Sequence, residues 1–501
     1  MVPESSPGSC EDHPLTEHLR LNRMTMPDSF LWHDYETFGA DSRRDRPAQF
    51  AALRTNTELE PIDEPVMLYC KPATDLLPQP DACLITGITP QKALRDGVPE
   101  NEFAATIADL MAQPGTCSVG YNSLRFDDEF TRHLFWRNFL DPYAREYAGG
   151  NSRFDLIDLA RMMRALRPEG LDWADREDGT PSFRLEHLAA ANGLDTSHAH
   201  DAMADVNATL GLARRMRSAQ PRLWQWALRL RRRDVVSELL TAHQPLLHTS
   251  ARLPARHCAT AAVLPIAEHP LIRSQWLVWN LREDPAPFFG MDVEDLSDRL
   301  WTPAADLPEG QQRLPVKLVR TNRCPMLAPM SVLMPKVEAR LELDRAAIDA
   351  HAAAIWQQPA FIERLQAVFE RPAGAAIDPE LDLYGGFVRG PDVTLRERVR
   401  SLSPEQLQAL NNPFEDHRLN ELLFRYRARL WPALLTDEEQ ARWQDYRRRR
   451  LIDDPDLASI RLDDYKRRIA ELFEHQPDHR TLLEDLAQWP QEIGADALRQ
   501  P

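Results

Sequence analysis

Residues 30–39 read FLWHDYETFG and carry the clearest structural signal in the chain. The segment is short, rich in aromatic residues and closed by Gly39, a composition that predicts a β-strand. Side chains two apart on a strand point to the same face, so Asp34 and Glu36 would present two carboxylates side by side. Such a pair can bind hard divalent cations. A solvated strand face is the alternative, but apolar, aromatic surroundings do not accept two unpaired acids without compensation.

Composition limits the class of protein. The chain has 501 residues, 43% of them hydrophobic, and a formal net charge of −17, which is typical of a globular protein of about three domains. No apolar run reaches the roughly 18 residues of a membrane-spanning helix. Six scattered cysteines and a polar N-terminal segment favour a reducing, cytoplasmic location. The acidic excess disfavours loose adhesion to nucleic acid, although a locally basic groove would still permit binding.

Strand-like and helical patterns alternate from residue 30 to about residue 216. Further strands are predicted at residues 51–55, 66–70 and 116–121, and helices at 127–140, 153–165 and 201–217. This order predicts an α/β domain with a mixed sheet. Residues 245–335 contain more proline and short β-like runs, which indicates a small β-rich domain. Helical periodicity dominates from about residue 340.

A third carboxylate of interest follows Phe126 at the predicted start of a helix. Asp127 lies six residues after a strand, and a carboxylate is favoured at a helix N-terminus whatever its function. Capping alone would therefore explain Asp127. Asp128 and Glu129 are competing candidates at the same turn.

His200 and Asp205 are five residues apart and would not share a helix face. We therefore predict that His200 precedes a helix on a loop and that Asp205 lies within the helix. His198 is a rival for the role of His200. Taken in order, four carboxylates and one histidine fit a two-metal phosphodiester hydrolase. A histidine with an ordinary pKa near 6.5 could accept the proton of the attacking water.

Residues 214–233 contain eight arginines and no acidic residue, with Trp224 and Trp226 among them. A solvated helix face is the usual explanation of such a stretch. The interleaved tryptophans favour base stacking combined with phosphate pairing. The stretch is therefore a candidate strand-binding surface.

These motifs resemble the DEDDh group of 3′→5′ exonucleases and, within it, the bacterial exodeoxyribonuclease I family. The segments that carry the resemblance are HDYETFG at 33–39, RPAQFAA at 46–52, LITGITP at 84–90, RFDDE at 125–129, PSFRLEHL at 181–188 and AHDAMAD at 199–205. Shorter matches follow at residues 315–319 and 426–429. The resemblance extends from about residue 29 to the C-terminus and is densest before residue 222.

The resemblance implies a fold of three domains. An α/β ribonuclease H-like exonuclease domain with a mixed sheet would occupy residues 29–218. An SH3-like β-rich domain would follow at 219–372 and an α-helical C-terminal domain at 373–501, with a flexible extension at 1–28. In this family the three domains close a C-shaped clamp around the strand.

The resemblance also implies an activity, a cofactor and a set of site residues. The activity is degradation of single-stranded DNA from the 3′ end with release of 5′-mononucleotides, in DNA repair and recombination. Two Mg²⁺ ions, with Mn²⁺ as the alternative, would be bound by Asp34, Glu36, Asp127 and Asp205, and His200 would be the general base. Substrate contacts are implied for Glu36, Arg184, Lys317, Asn322, Arg132, Tyr143 and Trp226. From the residues alone, Arg184 could instead pair with Glu186, and Lys317 could be a solvated edge lysine.

Two other functions stay open, namely an exonuclease acting on RNA or short oligonucleotides and a non-catalytic single-strand-binding scaffold. The β-rich and helical regions favour a long strand, and the presence of all four acids argues against a scaffold. The implied partners are single-stranded DNA and the acidic C-terminal tail of single-stranded DNA-binding protein, with no membrane and a monomeric chain. Gln244 and Met334 replace basic residues expected in the pocket for that tail.

Overall fold

The segment quoted above forms the central strand of a mixed sheet. The computed structural model describes residues 26–195, 201–370 and 377–499. The strands of the first sheet are β1 (Ser29–Thr37), β2 (Pro47–Thr55), β3 (Val66–Tyr69), β4 (Thr116–Gly120) and β5 (Ser152–Asp155). Their order is β3-β2-β1-β4-β5. β1 pairs antiparallel with β2 and parallel with β4, so the predicted mixed sheet is confirmed.

Helices connect and cover these strands. They span Pro80–Thr86, Pro90–Asp96, Glu100–Ala112, Asp127–Arg137, Leu156–Leu166, Leu185–Ala191 and Ala202–Ala219. The helix predicted at 153–165 is partly wrong, because residues 152–155 pair with β4 as β5. The side chain of Asp155 accepts a hydrogen bond from the backbone of Ile157. This N-cap fixes the start of the helix at Leu156.

β1 is buried on both faces although it carries two acids. Phe30 and Trp32 belong to one hydrophobic core and Leu31 and Tyr35 to another, as expected for alternating side chains. The helix Ala202–Ala219 packs against β1 and β2. This packing brings Asp205, in the first turn of that helix, against the strand that carries Asp34 and Glu36.

The second part of the chain is built around a five-stranded antiparallel sheet, as the β-rich prediction required. Its strands are β6 (Leu246–Thr249), β7 (Thr260–Glu268), β8 (Gln275–Asn280), β9 (Val316–Arg320) and β10 (Met326–Pro329), in the order β10-β6-β7-β8-β9. The helices before, within and after it are Pro221–Arg229, Arg233–Thr241, Val293–Trp301, Pro335–Leu341, Arg345–Trp356 and Pro359–Ala367.

The last part is helical, as predicted, and packs onto the first sheet domain. Its helices are Pro391–Val399, Pro404–Gln408, His417–Leu430, Asp437–Arg448, Leu462–His475 and Arg480–Glu492. The indole of Trp489 donates to the carbonyl of Leu76 at 2.9 Å. Glu380, whose side chain is fully buried, pairs with Arg46 and with Arg429. Among the described residues, no helix is long and apolar enough to cross a bilayer.

Candidate active site

Three of the four predicted metal ligands lie close together beside the central strand β1. One carboxylate oxygen each of Asp34, Glu36 and Asp205 lies within 4.8 Å of the others. The first two residues share a face of β1, and Asp205 lies in the first turn of the helix Ala202–Ala219 that packs on this strand. Three carboxylates at this spacing are a ligand set for a divalent cation.

Asp127 is the fourth acid of the cluster. It begins the helix Asp127–Arg137, as predicted. Its Oδ1 accepts a hydrogen bond from the backbone N–H of Tyr35 at 3.1 Å, which ties it to β1 between the two strand acids. Its negative charge raises the pKa of both Asp34 and Glu36. The four acids therefore share one electrostatic environment.

Burial and mutual repulsion act together on these groups. Burial, followed by the charges of the neighbouring acids, raises the pKa of Asp34 well above its ordinary value and that of Glu36 to about 8. Burial also raises the pKa of Asp127 to about 8. Within the described residues, no lysine or arginine forms an ion pair with Asp34, Glu36 or Asp127. Burying ionised acids without a cationic partner costs free energy of folding, and a bound divalent cation would offset that cost. This donor set therefore fits a divalent metal.

The neighbours of Asp127 have different partners. Asp128 accepts hydrogen bonds from Arg145 at 2.6 Å and from Arg153 at 2.5 Å. Burial opposes ionisation of Asp128, but these arginines hold its pKa below the usual range. Glu129 forms ion pairs with Arg132 and Arg323. Of the three successive acids, Asp127 is thus the one that forms no ion pair with an arginine of the described residues.

The carboxylates open into a cleft of about 420 Å³. Asp34, Asp205 and Arg184 line it together. The guanidinium of Arg184 does pair with Glu186, at 2.6 Å, yet 64% of the arginine side chain is exposed to solvent. Arg184 therefore lines the same cleft as the acids, and its ion pair with Glu186 is exposed to solvent.

The predicted general base, His200, and its rival His198 lie outside the described residues. Asp201, which follows immediately, was not singled out from the sequence. Its side chain caps the helix by accepting hydrogen bonds from the backbone of Met203 and Ala204. Its charge also raises the pKa of Asp34 and Glu36. An aspartate just before a helical pattern was the available signal for the cap, but nothing local revealed its proximity to β1.

Two of the predicted strand contacts sit at a junction of the three parts of the chain. The Arg132 guanidinium donates to Glu146, to Glu129 and to the Tyr384 hydroxyl. It also lies over the ring of Tyr143, 5.5 Å from the centroid. Arg132 is therefore held by protein acids here, and its contact with DNA stays a prediction.

The remaining predicted contacts lie on or near the β-rich domain. Lys317 is on β9, one of the two edge strands of the second sheet, and the carbonyl of Asn322 accepts a hydrogen bond from Arg153. The indole of Trp226 donates to the carbonyl of Leu327 at 2.8 Å. Trp224 is only 2% exposed and packs edge-on against Phe154, so the stacking role considered for it is wrong. Helix periodicity places it on the buried face, whereas Trp226 is half-buried.

Comparisons with known proteins agree with this arrangement. Three family models match: Exonuclease over residues 31–213, Exonuclease I SH3-like domain over 231–371 and Exonuclease I C-terminal domain over 377–493. Exodeoxyribonuclease I of Escherichia coli (strain K12) is 42% identical over 477 residues, which cover 94% of this chain and all of that protein.

Solved structures give the same result. Exonuclease I from Methylocaldum szegediense is 46% identical with a TM-score of 0.88, covering 93% of this chain and 99% of its own. E. coli Exonuclease I in complex with a dA16 oligonucleotide is 42% identical with a TM-score of 0.88, covering 93% and 100%. An ExoI/SSB-Ct complex is 41% identical with a TM-score of 0.86, covering 93% and 100%. The resemblance inferred from the motifs is confirmed, and the chain belongs to the exodeoxyribonuclease I family.

Proposed function

We propose that this chain hydrolyses single-stranded DNA from the 3′ end and releases 5′-mononucleotides. The observation that carries the proposal is the cluster of Asp34, Glu36, Asp127 and Asp205, in which no lysine or arginine of the described residues forms an ion pair with the first three. A family relative has been solved with a dA16 oligonucleotide, which supports DNA as the substrate. Repair and recombination are the processes that such an activity would serve.

The four acids would hold two Mg²⁺ ions, with Mn²⁺ as the alternative. Carboxylate oxygens are the ligands that these hard cations prefer. When bound, such ions orient the attacking water and stabilise charge on the phosphoryl oxygens. The chain itself supplies a rigid mount, since two ligands are on the central strand, which pairs with β2 over residues 30–37, and two lie in the first turns of helices.

The protein side chains have separate roles in this proposal. His200 accepts the proton of the attacking water, and Arg184 at the edge of the cleft binds the phosphate next to the scissile bond. The strand is further contacted by Glu36 at the site itself and by Arg132, Tyr143, Trp226, Lys317 and Asn322. The nuclease, SH3-like and helical domains are proposed at residues 29–218, 219–372 and 373–501.

We extend the proposal to a protein partner and a location. An ExoI/SSB-Ct complex among the relatives supports binding of the acidic tail of single-stranded DNA-binding protein. Gln244 and Met334 would then require the tail to find other cations on this chain. The five cysteines of the described ranges are buried and unpaired, which supports a cytoplasmic location.

The test is degradation of a 5′-labelled single strand in Mg²⁺, beside a 3′-blocked strand and a duplex. We expect the unblocked strand to shorten progressively from its 3′ end, with mononucleotides as product, and both controls to persist. Asp34→Ala should abolish release because it removes a metal ligand. Wild-type turnover by purified Asp34→Ala protein, or equal degradation of the blocked strand, would overturn the proposal.

A further inference from the structure

Asp155, the last residue of β5, is a fully buried acid that the proposed chemistry does not use. β4 and β5 run parallel, and Gly120 at the end of β4 is the register partner of Asp155. Both strands therefore end at the same edge of the sheet. At this edge, residues 122–126 form the turn that connects β4 to Asp127, and we name this segment the 122–126 turn.

The carboxylate of Asp155 binds the backbone of the 122–126 turn. Its Oδ1 accepts a hydrogen bond from the N–H of Asn122 at 2.8 Å, and its Oδ2 accepts one from the N–H of Leu124 at 3.2 Å. The bond from Ile157 that caps the following helix also goes to Oδ1, at 3.2 Å. Helix capping thus uses only one oxygen and does not account for the contact of Oδ2 with the turn.

The 122–126 turn has a backbone that its surroundings must hold in place. Asn122 has a φ of 65°, in the left-handed region that residues other than glycine rarely adopt. The turn also packs closely on the sheet, because a Cβ at Gly120 would lie 2.6 Å from the Cβ of Ser123 and 3.0 Å from the carbonyl oxygen of His33 on β1. The turn therefore lies directly against the strand that carries Asp34.

The position of Asp127 depends on this turn. Phe126, at the N-cap of the helix Asp127–Arg137, has no side-chain oxygen that could cap the helix. The start of the helix is instead tied to the turn, since the N–H of Asp128 donates to the carbonyl of Ser123 at 2.9 Å. A shift of the turn would move the first residue of the helix, and with it the Asp127 Oδ1 that lies 3.1 Å from the backbone nitrogen of Tyr35.

A second acid holds the same turn by a side chain. Arg125, within the turn, donates to Asp158 Oδ2 at 2.8 Å, and its Nη1 lies 4.0 Å from Oδ2 of Asp155. Asp158 belongs to the helix Leu156–Leu166, which Asp155 caps. Asn122 of the turn lines the catalytic cleft. Two acids from β5 and its following helix therefore fix a turn that borders the cleft.

We propose that Asp155 is a positioning residue for the exonuclease reaction. Through its hydrogen bonds to Asn122 and Leu124 it holds the 122–126 turn, and the turn fixes the Asp127 carboxylate where it completes the metal site. Asp155 itself contacts neither metal nor DNA, because its side chain is fully buried. This inference rests on the proposed function and deepens it by assigning the support of one metal ligand.

The first test compares kcat and the KM for oligo-dT between wild type and Asp155→Ala. Assays near pH 8 keep the wild-type carboxyl ionised, since burial raises its pKa only to about 7. Loss of the hydrogen bonds should displace Asp127 and lower kcat about 100-fold, with little change in KM because the strand does not contact Asp155. Asp155→Asn keeps one carbonyl oxygen that can accept from Asn122, so its kcat should be only about 10-fold below wild type.

Asp392→Ala is the matched control. Asp392 is also buried, and its two carboxylate oxygens accept hydrogen bonds from the backbone of Glu415 at 3.1 Å and of Asp416 at 2.8 Å. It lies in the helical part of the chain, outside the candidate active site. Urea unfolding in EDTA should show that both alanine variants are less stable than wild type. Only Asp155→Ala should lose kcat where both variants are folded.

The second test measures Mn²⁺ binding without DNA by titration calorimetry. Asp155→Ala should bind Mn²⁺ about 10- to 100-fold more weakly, the usual effect of losing a group that orients a metal ligand. A double-mutant cycle then shows through which residue Asp155 acts. In an Asp127→Asn background, Asp155→Ala should cause little further loss of Mn²⁺ affinity, because the ligand that it positions is already altered.

The outcomes separate this inference from the proposed function. If wild type degrades DNA and folded Asp155→Ala keeps the wild-type kcat and Mn²⁺ affinity, Asp155 is only a helix cap, and the exonuclease assignment stands without it. Equal losses of Mn²⁺ affinity in the wild-type and Asp127→Asn backgrounds would also overturn the proposal. If Asp155→Ala does not fold, unchanged kcat and Mn²⁺ affinity in Asp155→Asn would overturn it. If wild type degrades no DNA, the proposed function fails, and the Mn²⁺ cycle still tests the positioning role.

Discussion

Replacing Glu36 by glutamine should make the metal-free protein more stable while it destroys activity. In the wild type, burial and the neighbouring acids raise the pKa of this carboxyl from 4.5 to about 8. Such an elevation corresponds to about 5 kcal/mol against the ionised form, at about 1.4 kcal/mol for each pH unit. The amide must also be buried, so we expect a smaller gain of about 1–3 kcal/mol at pH 8.

The sign of the pH dependence follows from the direction of the pKa change. The native state binds the proton more tightly than the unfolded state, so the stability of the wild type falls as the pH rises from about 4.5 to about 8. The gain from Glu36→Gln should therefore be full near pH 8 and nearly absent near pH 5. Mg²⁺ should stabilise the wild type at pH 8 and the variant much less, since one ligand is lost.

The assay is urea unfolding in EDTA at both pH values, with nuclease activity measured on the same preparations. Glu146→Gln is a matched control, because Glu146 is buried but pairs with Arg132 and Arg153. Its neutralisation should destabilise the protein at pH 8. Equal destabilisation by Glu36→Gln and Glu146→Gln at pH 8 would refute the view that Glu36 is a buried charge that no protein cation compensates in the absence of metal.

Two further predictions concern the base and the interface between domains. His200→Ala should lower kcat about 100- to 10,000-fold with little change in the dissociation constant for a single strand in EDTA. A matching loss of affinity with kcat retained would make His200 a binding residue. Glu380→Gln should cost about 3–5 kcal/mol because it leaves buried arginines without their acid. Although burial opposes it, Arg429 and Arg46 hold the pKa of Glu380 well below its usual range, so this stability should persist at neutral pH and be lost only in acid. A loss no larger than that of the more exposed Glu421→Gln would contradict this interpretation.

The elements that sequence reasoning recovered best are those with strong local signals. The aromatic run of β1 was predicted and is present as the strand Ser29–Thr37. β5 was missed because its residues extend a helical pattern and become a strand only by pairing with β4. Trp224 and Trp226 looked alike in sequence, and only packing against Phe154 separated them.

In the candidate site, too, some features follow from local sequence patterns and others depend on tertiary packing. That Asp34 and Glu36 share a face follows from the two-residue repeat of a strand, and it needed no tertiary information. The sequence also proposed Asp127, but left Asp128 and Glu129 as equals. What distinguishes the three acids is their ion pairs in the folded structure. Arg145 and Arg153 pair with Asp128, and Arg323 of the second domain pairs with Glu129.

By itself, then, the sequence determined which residue types could do metal-dependent chemistry and on which kinds of element they lie, since side-chain direction repeats with the backbone of strands and helices. The tertiary structure alone decided that acids separated by up to 171 positions come within coordination distance and that the nearest arginines neutralise their neighbours instead. Such proximity arises from packing between distant segments, and no local period in the sequence encodes it.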